Sequence, residues 1–233
     1  GVDGIALQEV DSEQTQAIIE NVKERGMAVL TYENENFTMP NIPKVGTNSY
    51  TLGCTAGDMA VKAMNGSANV AVIINNSGYK SDERYANMIV QGILSSFSVY
   101  STMQIKDTYT INADLFEAEK IAASIIDDAA DVNLIICVDE RSTPGVAQIL
   151  VDNNKVGDIK LIGYGNRPQT LNYIERGVIY GTVCPDAYEI GYTAVQQLAQ
   201  SLDGAQISDY TSTQLYEIDE GNVSKYSEDL NQD

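Results

Sequence analysis

Polar side chains follow most of the apolar runs in this chain, at the point where each predicted strand ends. The set consists of Gln8, Tyr32, Glu33, Asn34, Asn75, Asp139, Tyr164, Asn166 and Asp186. In open α/β sheets, ligands bind beyond the carboxyl ends of the strands. Amides, carboxylates and phenols donate and accept directional hydrogen bonds, so we expect this set to bind a small polar or polyhydroxyl ligand.

Each of these residues also has a purely structural interpretation. Asx and Ser residues after a strand often cap a helix or form a turn. Arg84 lies one turn after the loop Asn75–Lys80, and its planar guanidinium could reach the ligand. The alternative for Arg84 is a surface ion pair with Asp82 or Glu83.

The composition excludes several kinds of chemistry. The chain has no histidine, which removes the commonest general base and metal ligand. Its three cysteines, Cys54, Cys137 and Cys184, are far apart and form no CxxC pair. Glycine-rich phosphate loops and a GxSxG elbow are also absent from the sequence. We therefore expect a protein that is not an enzyme and has no cofactor and no metal site; an enzyme would have to rely on carboxylates such as Asp139 and Glu140.

The charge balance limits the partners. With 14 Lys and Arg against 33 Asp and Glu, the net charge is −19. Such a field repels nucleic acid and anionic membrane surfaces, so no nucleic-acid partner is expected. No stretch approaches the roughly 18 apolar residues of a membrane span, so this chain is predicted to have none.

Strand and helix patterns alternate along the chain. Apolar runs typical of parallel strands lie at Ile5–Gln8, Ala28–Tyr32, Val70–Asn75, Leu134–Val138, Lys160–Gly163 and Ile179–Val183, with further strands at Val99–Lys106 and Gln214–Ile218. Helical patterns lie at Ser12–Arg25, Ser49–Met64, Asp82–Ser95, Asp114–Asp128, Pro144–Asn153, Pro168–Arg176 and Pro185–Leu202. This order predicts an α/β fold with parallel sheets.

Several segments share their order and spacing with one protein family. They are Gly1–Leu7, Gly26–Tyr32, Val45–Tyr50, Arg84 with Asn87 and Val90, Leu161–Asn166, and Thr182-Val183 with Tyr188–Gly191. From residue 1 to about 218, the chain resembles the sugar-type periplasmic binding proteins of the ribose- and galactose-binding class. Family members begin with two further strand–helix units, about 60 residues at about 30 per unit, so the resemblance implies that these units are lacking here.

The resemblance also implies a domain organisation. We expect two doubly wound parallel-sheet lobes joined by a hinge, with the N-terminal lobe incomplete. Residues 1–45 and 185–207 would form the N-terminal lobe, residues 46–184 and 208–218 the C-terminal lobe, and residues 219–233 an acidic tail.

The family's ligand contacts can be carried over position by position. They fall on Gln8, Glu33, Asn34, Arg84, Val138, Gly165 and Pro185. Gln8 and Arg84 keep chemistry that suits a sugar. Val138, Gly165 and Pro185 stand where polar side chains are common in the family, so the resemblance implies a ligand other than ribose or galactose, with neighbouring polar residues compensating.

The expected function follows from this resemblance. We expect an extracytoplasmic solute-binding protein, periplasmic or lipid-anchored at a bacterial cell surface. It would close on a small polar, carbohydrate-like ligand and present it to a transporter permease or a membrane sensor kinase. The alternatives are the ligand-sensing domain of a two-component system and the effector-binding region of a sugar-responsive transcriptional repressor, the latter disfavoured by the acidity.

Overall fold

The computed structural model describes residues 1–8, 13–34, 42–75, 83–112, 115–128 and 131–229. The strands within these ranges are β1 (Gly4–Gln8), β2 (Ala28–Asn34), β3 (Lys44–Thr47), β4 (Ser67–Asn75), β5 (Thr102–Ile111), β6 (Leu134–Val138), β7 (Lys160–Tyr164), β8 (Gly181–Pro185), β9 (Tyr210–Ser212) and β10 (Leu215–Asp219). The helices are α1 (Glu13–Glu24), α2 (Ser49–Met64), α3 (Arg84–Phe97), α4 (Leu115–Asp128), α5 (Thr143–Asp152), α6 (Pro168–Glu175), α7 (Ala187–Leu202) and α8 (Val223–Asp229).

The chain divides into two compact units, each built from separate segments. Unit 1 comprises Gly1–Ser49, Gly78–Tyr85 and Pro185–Leu215. Unit 2 comprises Tyr50–Ser77, Ala86–Cys184 and Tyr216–Asp233.

Unit 1 is built on a four-stranded sheet with the order β1-β2-β3-β9, in which every neighbouring pair is parallel. Ile19 of α1 packs with Leu7 and Val29 of the sheet. Ala194 of α7 packs in a separate cluster with Leu30 and Val45. Because side chains alternate across a strand, the neighbours Val29 and Leu30 point to opposite faces of the sheet, each of which therefore carries a helix.

Unit 2 contains a six-stranded sheet with the order β10-β8-β7-β6-β4-β5. The pairs from β8 to β5 along this order are parallel. Strand β6 is buried along its whole length, because helices cover the sheet and its residues Leu-Ile-Ile-Cys-Val are all apolar. The α/β fold class predicted from the sequence is therefore confirmed.

Some predicted elements were displaced or missed. The strand predicted at Val99–Lys106 begins at Thr102 and continues to Ile111, while Val99 is 81% exposed in the preceding turn. Strand β5 is the last in the sheet order and, within the described ranges, pairs with β4 alone. A strand with one neighbour can carry polar residues, so β5 lacks the continuous apolar run of a buried parallel strand. The strand predicted from Ile179 begins at Gly181. Ser12, Asp82 and Asp114, where three predicted helices begin, lie outside the described residues.

Several short segments form elements that the sequence analysis did not predict. Lys44–Thr47, just before the predicted helix Ser49–Met64, forms β3 of the unit 1 sheet. Residues 208–218 were assigned to one lobe, but Tyr210–Ser212 pairs with β3 in unit 1, whereas Leu215–Asp219 joins the unit 2 sheet. Within the segment expected to be an acidic tail, Val223–Asp229 forms α8, and Val223 is 4% exposed within the unit 2 core. Residues 230–233 lie outside the described part.

Candidate functional site

The strand order of unit 2 brings three predicted site residues to one edge. Strands β4, β6 and β7 lie side by side and run parallel. Their carboxyl ends therefore share an edge, where Asn75 ends β4, Asp139 follows β6 and Tyr164 ends β7. All three side chains are half-buried.

Asp139 is the centre of this group. Asn75 Nδ2 donates a hydrogen bond to its Oδ1 at 2.8 Å. The backbone N–H and the hydroxyl of Ser142 donate to Asp139 Oδ2 at 2.8 and 2.5 Å. These charge-assisted bonds fix the carboxylate at the edge of the sheet. We call Asn75, Asp139, Ser142, Thr143 and Tyr164 the unit 2 strand-end cluster.

Thr143 joins the ends of β6 and β7. Its hydroxyl donates to the backbone oxygen of Asp139 at 2.8 Å and accepts from the backbone N–H of Tyr164 at 3.1 Å. A Cβ at Gly163 would lie 2.3 Å from Thr143 Cγ2, so only glycine permits this approach. Gly165 has φ +83°, and its Cβ would lie 2.5 Å from Cγ of Glu140. Glycine at positions 163 and 165 therefore lets the end of β7 lie close to the residues that follow β6.

Unit 1 presents its own polar group at the ends of β1 and β2. The side-chain amide of Gln8 donates to the carboxylate of Glu33, and Gln8 is in register with Tyr32. Glu33 has φ +89°, a left-handed conformation that is uncommon for a non-glycine residue and often occurs at functional sites. Opposite it, a Cβ at Gly46 would lie 2.4 Å from the Glu33 backbone oxygen, so the close pairing of β2 and β3 requires glycine. We call Gln8, Tyr32 and Glu33 the unit 1 strand-end group.

The remaining predicted residues have varied placements. Asn34 ends β2 and pairs with Thr47, Arg84 is the exposed first residue of α3, and Asn166 is exposed two residues after β7. Asp186 is the N-cap of α7, where its Oδ1 accepts from the backbone N–H of Glu189 at 2.8 Å. For Asp186 the structure thus shows the capping role that the sequence had left open.

Sequence reasoning missed Ser142 and Thr143. Both side chains are buried, with 2% and 0% exposure, and both hold the backbone and carboxylate of Asp139 in place. A signal was available: Asp, Ser and Thr side chains in a turn commonly form hydrogen bonds with neighbouring backbone groups, and all three residue types follow β6 within five positions.

The described residues offer no metal site, and Cys137 beside the cluster is not an activated thiol. Within the described ranges, no three His, Cys, Asp or Glu side chains are grouped so that they could hold a metal ion. Cys137 lies two residues before Asp139, and burial, with a smaller contribution from the Asp139 carboxylate, raises the pKa of its thiol to about 12. Such a thiol stays protonated at neutral pH and is a poor nucleophile.

Each of the two strand-end groups is suited by itself to hydrogen bonding with a polar ligand. In unit 1, the Glu33 carboxylate accepts hydrogen bonds and the Gln8 amide both donates and accepts. In unit 2, the carboxylates of Asp139 and Glu140 accept, and the Asn75 amide both donates and accepts. Arg167 approaches Glu140 at 3.6 Å, but both side chains are more than 40% exposed and the pair contributes little to stability. Acceptor-rich groups of this kind bind hydroxyl donors of a neutral ligand more readily than an anion.

Comparison with known proteins identifies the family. A family model described as "Periplasmic binding protein domain" matches residues 1–206. The chain belongs to this family. The resemblance inferred from the sequence is thereby confirmed. Among the described residues of this periplasmic binding protein, no helix has the length and apolar character that crossing a lipid bilayer would require.

Named relatives extend this result. The D-allose-binding periplasmic protein of Escherichia coli K12 is 22% identical over 208 residues, and the match covers 85% of this chain but 65% of the relative. The crystal structure of GanP, a glucose-galactose binding protein from Geobacillus stearothermophilus, superposes with a TM-score of 0.83 at 24% identity, covering 95% of this chain and 78% of that one. XylFII in a complex with LytSN gives a TM-score of 0.78 at 25% identity, covering 94% and 77%.

Proposed function

We propose that this chain is the ligand-recognising part of an extracytoplasmic solute-binding protein for a small, polar, carbohydrate-like ligand. The proposal includes closure on the ligand and no enzymatic step. The observation that carries it is the Asn75–Asp139–Ser142 hydrogen-bond network at the carboxyl ends of the unit 2 strands. This is the edge at which α/β sheets bind ligands.

The relatives support a carbohydrate-like ligand. The curated relative is named for D-allose and one solved neighbour for glucose and galactose. The strand-end groups of this chain are carboxylates and amides, which match the hydroxyl-rich surface of such molecules. Asp139 is already oriented by three donors, so its side chain loses little conformational entropy when a ligand binds.

The second part of the proposal concerns the partner protein that recognises the ligand-bound form. A transporter permease or a membrane sensor protein would bind the closed form. The neighbour XylFII is found in a complex with a second protein, LytSN, which supports a protein partner of this kind.

Differential scanning fluorimetry followed by titration calorimetry tests the proposal. The full chain is screened against pentoses, hexoses, polyols, nucleosides and amino acids. A ligand that binds only the folded state raises the melting temperature by mass action, by an amount equivalent to about 2.7 kcal/mol at a hundred times its dissociation constant. A shift confined to sugars or polyols is expected, and a shift confined to another class would contradict the ligand assignment.

A matched pair of variants then locates the site. Gln8→Ala removes an exposed side chain at the end of β1, and we expect it to weaken binding of the identified ligand at least about tenfold. Gln104→Ala makes the same change at an exposed position early in β5, away from the strand ends, and should leave affinity unchanged. Equal effects of the two variants would refute the placement of the site.

A further inference from the structure

A cavity of about 370 Å³ lies at the amino-terminal edge of the unit 2 sheet. It is lined by Lys160, which begins β7, and by Tyr180, which directly precedes β8. Tyr164 of the unit 2 strand-end cluster ends the same strand β7, about 13 Å from Lys160 at about 3.3 Å per residue. The cavity is therefore separate from that cluster, and its volume is within the range of small-molecule sites.

Two distant segments of unit 2 form the walls of the cavity. A Cβ at Gly181 would lie 2.7 Å from the backbone oxygen of Ile218, so the beginning of β8 lies directly beside the end of β10. The turn Asp219–Gly221 after β10 therefore borders the cavity, together with the segments that lead into β7 and β8. All of these residues belong to unit 2, so the cavity is a property of one folded unit.

The interior of the cavity is apolar. Four of the side chains that line it are aliphatic and at most 8% exposed, namely Ile159, Ile174, Val178 and Ile179. All four belong to the hydrophobic core of unit 2, so their positions are fixed by packing. An apolar group of a ligand would bury its surface against them.

Lys160 supplies a positive charge at one side of the cavity. Its half-buried Nζ donates to the backbone oxygen of Ala63 at 2.5 Å and lies 5.4 Å from the ring centroid of Tyr180. The structural role of Lys160 is thus to bind a carbonyl at the end of α2. That role uses one of the three donors of the ammonium. Among the described residues, no carboxylate forms an ion pair with Lys160, so the cation can still bind an anionic group of a ligand.

Two carboxylates in the turn after β10 supply the opposite charge. Asp219 and Glu220 both line the cavity. Asp219 Oδ1 accepts a hydrogen bond from the backbone N–H of Gly221 at 2.9 Å, which fixes the turn, whereas the Glu220 side chain is exposed. Since neither carboxylate pairs with Lys160, free space separates the two signs of charge. A simple anion would be repelled by the carboxylates and a simple cation by Lys160, so the cavity suits a ligand that carries both charges.

We propose that this cavity is a second ligand site and that it binds a short free peptide. The terminal carboxylate binds Lys160, the terminal ammonium binds Glu220 and Asp219, and an apolar side chain packs against the aliphatic interior. The two charges of a free α-amino acid are attached to one carbon, whereas a dipeptide spans up to about 7 Å. A sphere with the volume of the cavity is roughly 9 Å across, so a dipeptide can place its two charges at opposite walls.

An NMR titration of the full chain with glycylleucine tests the proposal. This dipeptide carries both terminal charges and one apolar side chain. With about 13 non-hydrogen atoms, it should bind with a dissociation constant of about 1 mM or below. The backbone amide signals of Gly157, Gly177 and Gly221, which line the cavity, should shift on binding. Those of Gly163 and Gly165, at the opposite edge of the sheet, should not.

Blocked forms of the same dipeptide separate the contributions of its two charges. N-acetylation removes the ammonium, amidation removes the carboxylate, and neither changes the apolar side chain. Each blocked form should bind at least about tenfold more weakly than glycylleucine, because each loses a charge-assisted hydrogen bond. Glycylglycine, which lacks the apolar side chain, should also bind more weakly.

Two variants assign each charge of the dipeptide to a residue. In Lys160→Gln, glycylleucine and its amide should bind nearly equally, whereas the preference over the acetylated form should remain. In Glu220→Gln, the preference over the acetylated form should fall, whereas the preference over the amide should remain. Lys120→Gln removes the same charge as Lys160→Gln at an exposed position in α4 and should change neither preference. Circular dichroism confirms folding, and the exposed Glu220 gives a variant that leaves the contact between Lys160 and Ala63 intact.

Three results would each overturn the proposal. They are the absence of any shift at up to about 20 mM glycylleucine, shifts confined to Gly163 and Gly165, and equal affinities of the parent chain for the dipeptide and its two blocked forms. None of these outcomes depends on the carbohydrate-like ligand proposed above. A chain that binds a sugar but not glycylleucine refutes the second site alone, and a chain that binds glycylleucine but no sugar or polyol refutes the proposed function alone.

Discussion

Helices α2 and α3 of unit 2 contact each other through glycine, and replacing one glycine should have a large effect. A Cβ at Gly92 would lie 2.2 Å from the backbone oxygen of Tyr50 and 2.7 Å from the backbone nitrogen of Cys54. Ordinary contact begins at 3.4 Å, so the first of these distances is 1.2 Å too short. The obstacles are backbone atoms of α2, which cannot rotate aside as a side chain can. Gly92→Ala therefore forces the two helices apart.

The magnitude follows from two opposing terms. Overpacking a well-packed interior costs about 1–3 kcal/mol and occasionally more, and a backbone obstacle places Gly92→Ala at or above the upper end. Alanine is a better helix former than glycine by about 0.5–1 kcal/mol, which offsets part of the cost. We expect a net destabilisation of about 2–3 kcal/mol, equivalent to a fall in melting temperature of roughly 4–12 °C for a chain of this size.

Gly191→Ala is the matched control for this prediction. Gly191 lies within α7, and a Cβ there would meet nothing within 4 Å. The same chemical change should therefore stabilise the protein, by about 0.5–1 kcal/mol. Both variants are compared with the parent by thermal and urea unfolding followed by circular dichroism. If Gly92→Ala is as stable as Gly191→Ala, the close helix contact and the reasoning built on it are wrong.

Three further experiments probe the unit 2 strand-end cluster and the surface charge. Asp139→Ala leaves the buried N–H and hydroxyl of Ser142 without their acceptor and should lower the free energy of unfolding in urea by about 2–4 kcal/mol. Asp139→Asn keeps one oxygen and should lower it by about half as much. Equal losses in the two variants would contradict this role of the carboxylate. The buried Cys137 thiol, whose pKa is about 12, should not react with a disulfide reagent at pH 8 until denaturant is added, and rapid labelling of the native protein would contradict its burial. Lys106 holds the pKa of the exposed Asp131 carboxyl below its usual value, so this pair contributes stability above a pH of about 4 and loses it as pH falls through the folded-state pKa. The small gap in urea midpoint between the parent and Asp131→Asn should therefore be present at pH 7 and close at low pH; a gap that widens on acidification would contradict the sign.

Elements with a strong local signal could be predicted from the sequence. The run Leu134–Val138 is apolar throughout, and the structure buries all five residues as β6. Helix α2 has the bounds Ser49–Met64 that the periodicity predicted. In such elements the burial of each residue is reflected in an apolar run or a helical periodicity of the sequence.

Short elements could not be predicted in this way. β3 has four residues and β9 three, and each is a strand only because the neighbouring strand supplies its hydrogen bonds. The assignment of Tyr210–Ser212 to the unit 1 sheet depends on pairing with residues more than 160 positions earlier, from Lys44 to Gly46. No local property of the segment encodes that choice.

The candidate site shows the same division. Gln8, Glu33, Asn75 and Asp139 could be named as candidates from the sequence, because the end of a strand is visible in its own apolar run. The hydrogen bond from Asn75 to Asp139, across 64 positions, could not be predicted in this way, because it depends on the order of strands in the sheet, which brings their ends together. Only the tertiary structure decided that Asp186 caps a helix, since the direction of a short side chain depends on the backbone conformation around it.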